Sequence, residues 1–392
     1  MRAPAGSRAA QDQPVGSETK PSSHLGAVTA VVILLLIGAF VIFTPQGQAI
    51  LNQGLSLLSP STPSTSYAVS TSTSTVCPVT STVATLVAPD IQGNQAAIWY
   101  PPDYCTLANY ALGVINQDRA SNGTAPVTLA YALSAQQHVD SMLYYDYFSH
   151  NDTQGYLPFM RYTLLGGRGA DFENVAIEYD SHFASTGDIE NAIKALEFQM
   201  MNNDSLCCAN GHRDNILGPL HTQVSIGVAY NSTTVYFGEE FENVYVALNF
   251  SPTAPCTLAG SCEVSMTGVP LNVNVTSGIY AIYVAYDSPP APLTPAQLNA
   301  GPHEFTPGTL IGGVLPPCSL FPGCKTFGSG FTVYATAWTV NSKSTFDIEF
   351  SLHDFIHGQN GSSGYGAGVY TIYVVLNQST GSAITTLSVF VT

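Results

Sequence analysis

Apolar and polar positions divide the chain into four stretches. From Leu25 to Phe43 it reads LGAVTAVVILLLIGAFVIF, without a charge. At 1.5 Å per residue a helix there reaches about 28 Å, close to the thickness of a bilayer core. Residues 44–94 follow as a Ser/Thr/Pro-rich run with too few large side chains to bury a core. Helical periodicity then begins. Tyr104–Asn122 spaces Leu107, Tyr110, Ala111, Val114 and Ile115 along one face. Leu129–Tyr147 does so with Leu133, Ala135, Val139, Met142 and Leu143, and Asp188–Asn202 with Ile189, Ile193, Leu196 and Met200, capped by Thr186 or Asp188. Gln223–Tyr230, Thr234–Phe237 and Val244–Phe250 alternate as strands, so helices followed by an antiparallel sheet predict an α+β layered unit over 95–250. After Pro252 the helical signal ends. Leu271–Val275, Ile279–Tyr286, Phe331–Trp338, Phe346–Leu352, Val369–Leu376 and Ile384–Val391 are short β-branched or aromatic runs between turn residues, which predicts an antiparallel β-sandwich of Ig-like pattern over 255–392. The boundary at Asn249–Pro255 is expected to let residues 95–250 fold alone.

Charge sets the orientation and removes one class of function. Arg2, Arg8 and Lys20 precede the apolar stretch and no Lys or Arg follows it for fifty residues. The positive-inside rule then makes 1–24 a cytoplasmic tail, 25–43 a single-pass signal anchor, 44–94 a stalk and the rest extracytoplasmic, at the cell membrane. Two alternatives stay open: a cleaved signal peptide, although no small-residue cleavage site follows Phe43, and a pilin-like leader. The stalk reads equally as a glycosylated spacer or an unmodified tether. With a net charge of −16 and only 10 basic residues, the chain has no electrostatic footprint for nucleic acid. Eight cysteines, Cys77, Cys105, Cys207, Cys208, Cys256, Cys262, Cys318 and Cys324, form no C-x-x-C ribbon and outside the cell read as disulfides. Cys256/Cys262 and Cys318/Cys324 are each placed to close a small ring. The vicinal Cys207–Cys208 reads as two separate bridges, one of them to Cys105, or as a strained redox ring. Glycosylation acceptors of the form Asn-x-Ser/Thr fall at Asn122, Asn151, Asn203, Asn231, Asn249, Asn274, Asn360 and Asn377, all beyond the apolar stretch.

The middle stretch carries an ordered set of motifs: INQDRASNGTAPVTLAYALSAQQHVDSMLYYDYFSH, then FENVA, then GHRDNILGPLHTQVSIGVAYN. This set resembles the CAP superfamily (cysteine-rich secretory proteins, antigen 5 and pathogenesis-related 1), in its prokaryotic SCP-like form, over about residues 98–250. The resemblance implies a three-layer α-β-α sandwich. It also implies a cleft in which two His and two Glu can hold a divalent ion, with His150, Glu173 and His212 on three of those positions. The family's second Glu falls on Asn203 if Met200 replaces the usual Trp, with Glu197 and Asp204 the nearest acids, and Phe172 stands where the family has Gly.

Taken as chemistry, two imidazoles and a carboxylate with an open position would suit zinc, and calcium is the other ion considered. Three readings stay open: a metal site, a buried polar network in which His150 and His212 pair with Glu173, and direct catalysis. His138 reads as a packing histidine, and Arg213 and Asn215 as residues that tie down a loop. Asp354 with His353 and His357 in HDFIHG forms an acid–imidazole cluster or an ordinary loop. No G-x-S-x-G setting surrounds a serine. The expectation is a membrane-anchored envelope module, binding or structural, whose partners are a lipid, a glycan or an envelope protein. The alternative is a metal-assisted extracellular hydrolase acting on peptide or glycan.

Overall fold

The periodic helices form where their apolar faces predict. In the computed structural model, α1 (Tyr104–Ser121) buries Tyr104, Leu107, Ala108, Ala111, Ile115 and Arg119. α2 (Leu133–Tyr145) buries Ala135, Val139 and Met142. It starts later than its pattern suggests, because Thr128–Ala130 leaves the helix and pairs as β3 beside the strand Gln223–Tyr230. α4 (Thr186–Asn202) is fixed by a capping box in which the Ser185 hydroxyl accepts from Asp188 N while the Asp188 carboxylate accepts from Ser185 N. Two short helices had no periodic signature: α3 (Pro158–Leu164), with six of its seven residues buried, and α5 (Gly211–Ile216).

The structure describes residues 86–89, 95–205, 208–301, 305, 308–320, 325–328, 330–359, 361–376 and 383–392. The tail, the anchor, most of the stalk, Cys77, Cys207, Cys324, Asn360 and Asn377 lie outside them. Among the described residues, no helix is long and apolar enough to cross a membrane. All of them fall in one unit, Val41–Thr392. It begins with a hairpin, β1 (Leu86–Pro89) and β2 (Gln95–Ile98).

A four-stranded sheet of order β3-β5-β6-β4 forms the middle layer, with β4 (Ala170–Tyr179), β5 (Gln223–Tyr230) and β6 (Thr234–Asn243) antiparallel. One face, with Val224, Ile226, Val228 and Phe237, packs against α1 and α4. The other, with Val175, Ala229 and Tyr236, packs against α2. Glycine allows α2 to come this close, since a Cβ at Gly227 would run into the Ala135 carbonyl.

The second half is a sandwich of two sheets, β12-β13-β8-β7 and β11-β10-β9-β14-β15, around Met266, Ile282, Val314, Phe346, Ile348, Phe350 and Ile372. Its strands are β7 (Val246–Ser251), β8 (Glu263–Pro270), β9 (Ala281–Asp287), β10 (Thr309–Leu315), β11 (Phe331–Tyr334), β12 (Ala337–Thr339), β13 (Phe346–Ser351), β14 (Gly368–Val375) and β15 (Ala383–Val391). Two short helices, α6 (Pro295–Ala300) and α7 (His353–His357), sit in its connections.

Three sequence expectations change here. Leu271–Val275 is no strand: the Asn272 side chain caps a helical turn at Val273–Thr276. Phe331–Trp338 breaks into β11 and β12, which lie in different sheets. Val244–Phe250, expected as a strand of the first sheet, forms β7 at Val246–Ser251 and pairs with β8 of the sandwich instead.

The two halves share a buried interface. β14 and β15 are covered on both faces, which is why they read as nearly continuous apolar runs. One face fills the sandwich, and the other packs Val369 and Phe390 on Tyr156, Phe159 and Met160. Hydrogen bonds cross the same seam: Thr386 N donates to Gly169 O at 3.1 Å, and Ser388 N to the Thr163 hydroxyl, Oγ1, at 3.0 Å. The Cys256–Cys262 disulfide closes the ring expected of it. Cys256 N donates to Phe390 O at 2.8 Å, which ties that ring to the end of β15. Cys105, Cys208 and Cys318 are disulfide-bonded as well.

Candidate functional site

Side chains alternate along a strand, so neighbours in sequence face opposite layers. In β4 this separates the two residues of the E-N motif. Glu173 lies opposite Glu240 in register and faces α2; Asn174 lies opposite Glu239 and faces α4 and α5. The motif residues accordingly form two clusters.

On the α2 side, His150 Nδ1 lies 2.9 Å from Glu173 Oε1, and Arg161 Nη2 donates to Glu173 Oε2 at 2.6 Å. Arg161 also donates to the carbonyls of His150 and Tyr156 at 2.7 and 2.8 Å, which fixes the loop between FSH and α3. Burial alone would raise the Glu173 carboxyl, but the Arg161 guanidinium, His138 and His150 hold it down to about 2. His138 stands in the same cluster, 3.8 Å from Glu173 Oε1: its Nε2 donates to Ser149 O at 2.8 Å, and burial, then the Arg161 charge, holds it down to about 3. Around this ion pair stand three further acids. Burial and then the charge of Glu173 raise Asp171 well above the carboxylate range, and burial and then Asp171 do the same to Glu240. Glu242 accepts from Tyr162 Oη at 2.6 Å and Ser225 Oγ at 2.7 Å.

The cluster is roofed by the sandwich. Phe305 sets its ring edge against His150, with centroids 4.8 Å apart. Leu298 of α6 packs with Val139, Met142 and Tyr147. Asn299 accepts from Phe148 N at 2.8 Å, and Leu293 N donates to Thr153 O at 2.9 Å. His150 and Glu173 are each 6% exposed.

On the α4 side, His212 Nδ1 lies 2.6 Å from Asp204 Oδ1, and His212 N donates to Asp204 Oδ2 at 2.9 Å. Asn174 Nδ2 bridges His212 O at 3.3 Å and Glu239 Oε2 at 3.0 Å. Glu197 is buried, and burial and then the Glu239 charge raise its carboxyl well above its ordinary range. The remaining motif residues clamp backbone. Asn116 pairs with both polar groups of Val127, and Arg119 donates to Ile216 O at 2.5 Å. Arg213 donates to Met201 O at 2.8 Å and Asn215 to Phe172 O at 3.1 Å.

The structure thus joins His150 to Glu173 and places His212 with Asp204, Glu197 and Glu239. Asn203 is exposed at the end of α4 and bonds Gln199 at 2.7 Å, outside both clusters. Among the described residues, the ligand-type atoms that converge within 4.8 Å as a set of three are those of Asp204, Cys208 and His212. A disulfide-bonded Cys208 offers no thiolate, which reduces that set to a His–Asp pair. The donors implied for a divalent ion do not fit one: the Arg161 guanidinium already supplies the cation beside Glu173. Arg161, Asp171 and Glu240 had no signal in the sequence, because a buried charge follows no period. Asp204 and Glu197 were visible as the acids nearest the Asn203 position.

The motif residues thus belong to a three-layer α-β-α domain, in which most of them clamp backbone, packed against a β-sandwich. Residues 112–250 match the family model of the cysteine-rich secretory protein family, CAP, and the chain carries a CAP-superfamily domain there. A similar solved structure is that of an extracellular protein containing an SCP domain from Bacillus anthracis str. Ames. It is 18% identical, with 36% of this chain and 41% of that chain covered and a TM-score of 0.28. The chain spans about two fifths of that protein's length. No curated protein matches the sequence.

Proposed function

We propose that the protein is a membrane-anchored, extracytoplasmic module that binds or braces a component of the cell envelope, and that its CAP motif residues form the framework of that module. One observation carries this reading. Both carboxylate oxygens of Glu173 are engaged, by His150 at 2.9 Å and Arg161 at 2.6 Å, under a roof supplied by the sandwich. A general base must reach substrate, and a divalent ion needs a carboxylate whose charge is not already matched. Glu173 is 6% exposed and paired with the Arg161 guanidinium, whose positive charge opposes a second cation beside it. Location outside the cell is supported by the disulfides and by the exposure of the acceptors Asn122, Asn203, Asn231, Asn249 and Asn274. The partner is a lipid, a glycan or an envelope protein.

The full chain in detergent, incubated with lipid, glycan and peptide extracts of the envelope, tests this by native mass spectrometry and product analysis. Retention of a ligand without turnover is expected. Turnover of peptide or glycan that disappears in His150→Ala and His212→Ala would overturn the proposal in favour of a hydrolase.

A further inference from the structure

The sandwich carries a pair of imidazoles that the CAP residues leave unexplained. β13 ends at Ser351, and the chain turns at once into α7, a single helical turn from His353 to His357. Residues four apart share one side of a helix, and the rings of His353 and His357 stand with centroids 4.6 Å apart, tilted by 43°. Between them Phe355 and Ile356 are buried. The apolar residues hold the turn in place, and the two imidazoles face solvent, the His353 side chain being 56% exposed.

A carboxylate stands behind the first ring. His353 Nδ1 is 3.3 Å from Asp354 Oδ1. The other oxygen of Asp354 accepts from Gln359 Nε2 at 3.0 Å, and the same amide nitrogen donates to Thr332 O at 3.1 Å. A carboxylate acceptor draws the proton to Nδ1 and leaves the Nε2 lone pair outward, the arrangement that orients histidine ligands. Imidazole nitrogens suit zinc, copper and nickel, whereas calcium and magnesium select oxygen. Two nitrogens each about 2.1 Å from one ion are at most about 4.2 Å apart, a span that the ring spacing can meet.

We infer that His353 and His357 form a solvent-facing chelate for a divalent transition ion, with Asp354 as its positioning residue and water filling the remaining positions. The site is separate from the CAP clusters and does not depend on the function proposed for them.

Zinc alone, titrated calorimetrically into the full chain at pH 7.5, tests it. One ion should bind, and calcium should not compete. His353→Ala and His357→Ala should each abolish uptake with the far-UV circular dichroism unchanged. Asp354→Ala should weaken it about tenfold, the loss expected of an outer-shell partner. His212→Ala should leave it intact. Uptake that survives His353→Ala, uptake lost instead with His212→Ala, or no uptake by the unmodified chain would overturn the inference.

Discussion

Replacing Arg161 by methionine keeps an unbranched apolar stem and deletes the guanidinium. That group makes the 2.6 Å bond to Glu173, and both side chains of the pair are 2% exposed. It also satisfies the carbonyls of His150 and Tyr156. Removing one partner of a buried ion pair costs about 3–5 kcal/mol, because the other charge stays buried without compensation. The descent of the Glu173 carboxyl from 4.5 to about 2 corresponds to about 3 kcal/mol, in the same range. The sign with pH follows. In the unmodified protein Glu173 contributes stability that is present above 4.5 and lost as pH falls towards 2. In the variant, burial is no longer opposed by the guanidinium, so the folded carboxyl rises. Its deficit is then greatest at neutral pH and shrinks on acidification, when Glu173 can take up a proton. Urea unfolding at pH 8 and pH 5 should show this, and Arg161→Met combined with Glu173→Gln should recover most of the loss at pH 8. A loss under about 1 kcal/mol at pH 8, the size of an exposed pair, or strict additivity of the two substitutions, would refute the reasoning.

Three partly buried carboxyls favour the folded state more as pH falls. Burial pushes Asp140 from 3.8 up to about 7, and Asp214 and Asp287 from 3.8 up to about 6. A raised folded value means stability that is full below 3.8 and lost as pH rises through 6 to 7. Burial holds His138 down to about 3 and His221 down to about 4, which opposes this trend over the same range, so the test is a comparison of variants: Asp140→Asn should be less favoured by a shift from pH 8 to pH 5 than the unmodified protein in urea midpoint, and an identical pH dependence contradicts the assignment. Residues 95–250 expressed alone should aggregate while 95–392 stays soluble, because Tyr156, Phe159 and Met160 lose the cover of β14 and β15; a soluble, cooperatively unfolding fragment would show instead that the first half needs no sandwich. Cys256→Ser and Cys262→Ser should each cost about 2 kcal/mol by the chain entropy of so small a ring, read as equal shifts in urea midpoint. A shift in one variant alone would mean that the ring is not the cause.

The elements legible in the sequence are those with one buried face. α1, α2 and α4 each put a single apolar stripe against the sheet, so the stripe can be counted. α3 is buried on nearly every side and α5 has six residues, so neither has a stripe to count. Leu271–Val275 is rich in β-branched residues, but the capping side chain of Asn272 decides in favour of a helical turn. The same limit applies to the site. The motifs located His150, Glu173 and His212, yet only strand parity shows that Glu173 and its neighbour Asn174 serve different layers. Arg161 has no flanking signal at all, although it determines what Glu173 can do.

The central claim is that Glu173 is satisfied by Arg161 and His150, while His212 sits with Asp204 in the other layer, so that the CAP residues are a framework rather than a metal or catalytic centre. Zinc titrated at pH 7.5 into the His353→Ala, His357→Ala double variant tests this most directly. The account predicts no stoichiometric uptake. One bound ion that is lost on His150→Ala and also on His212→Ala would contradict it.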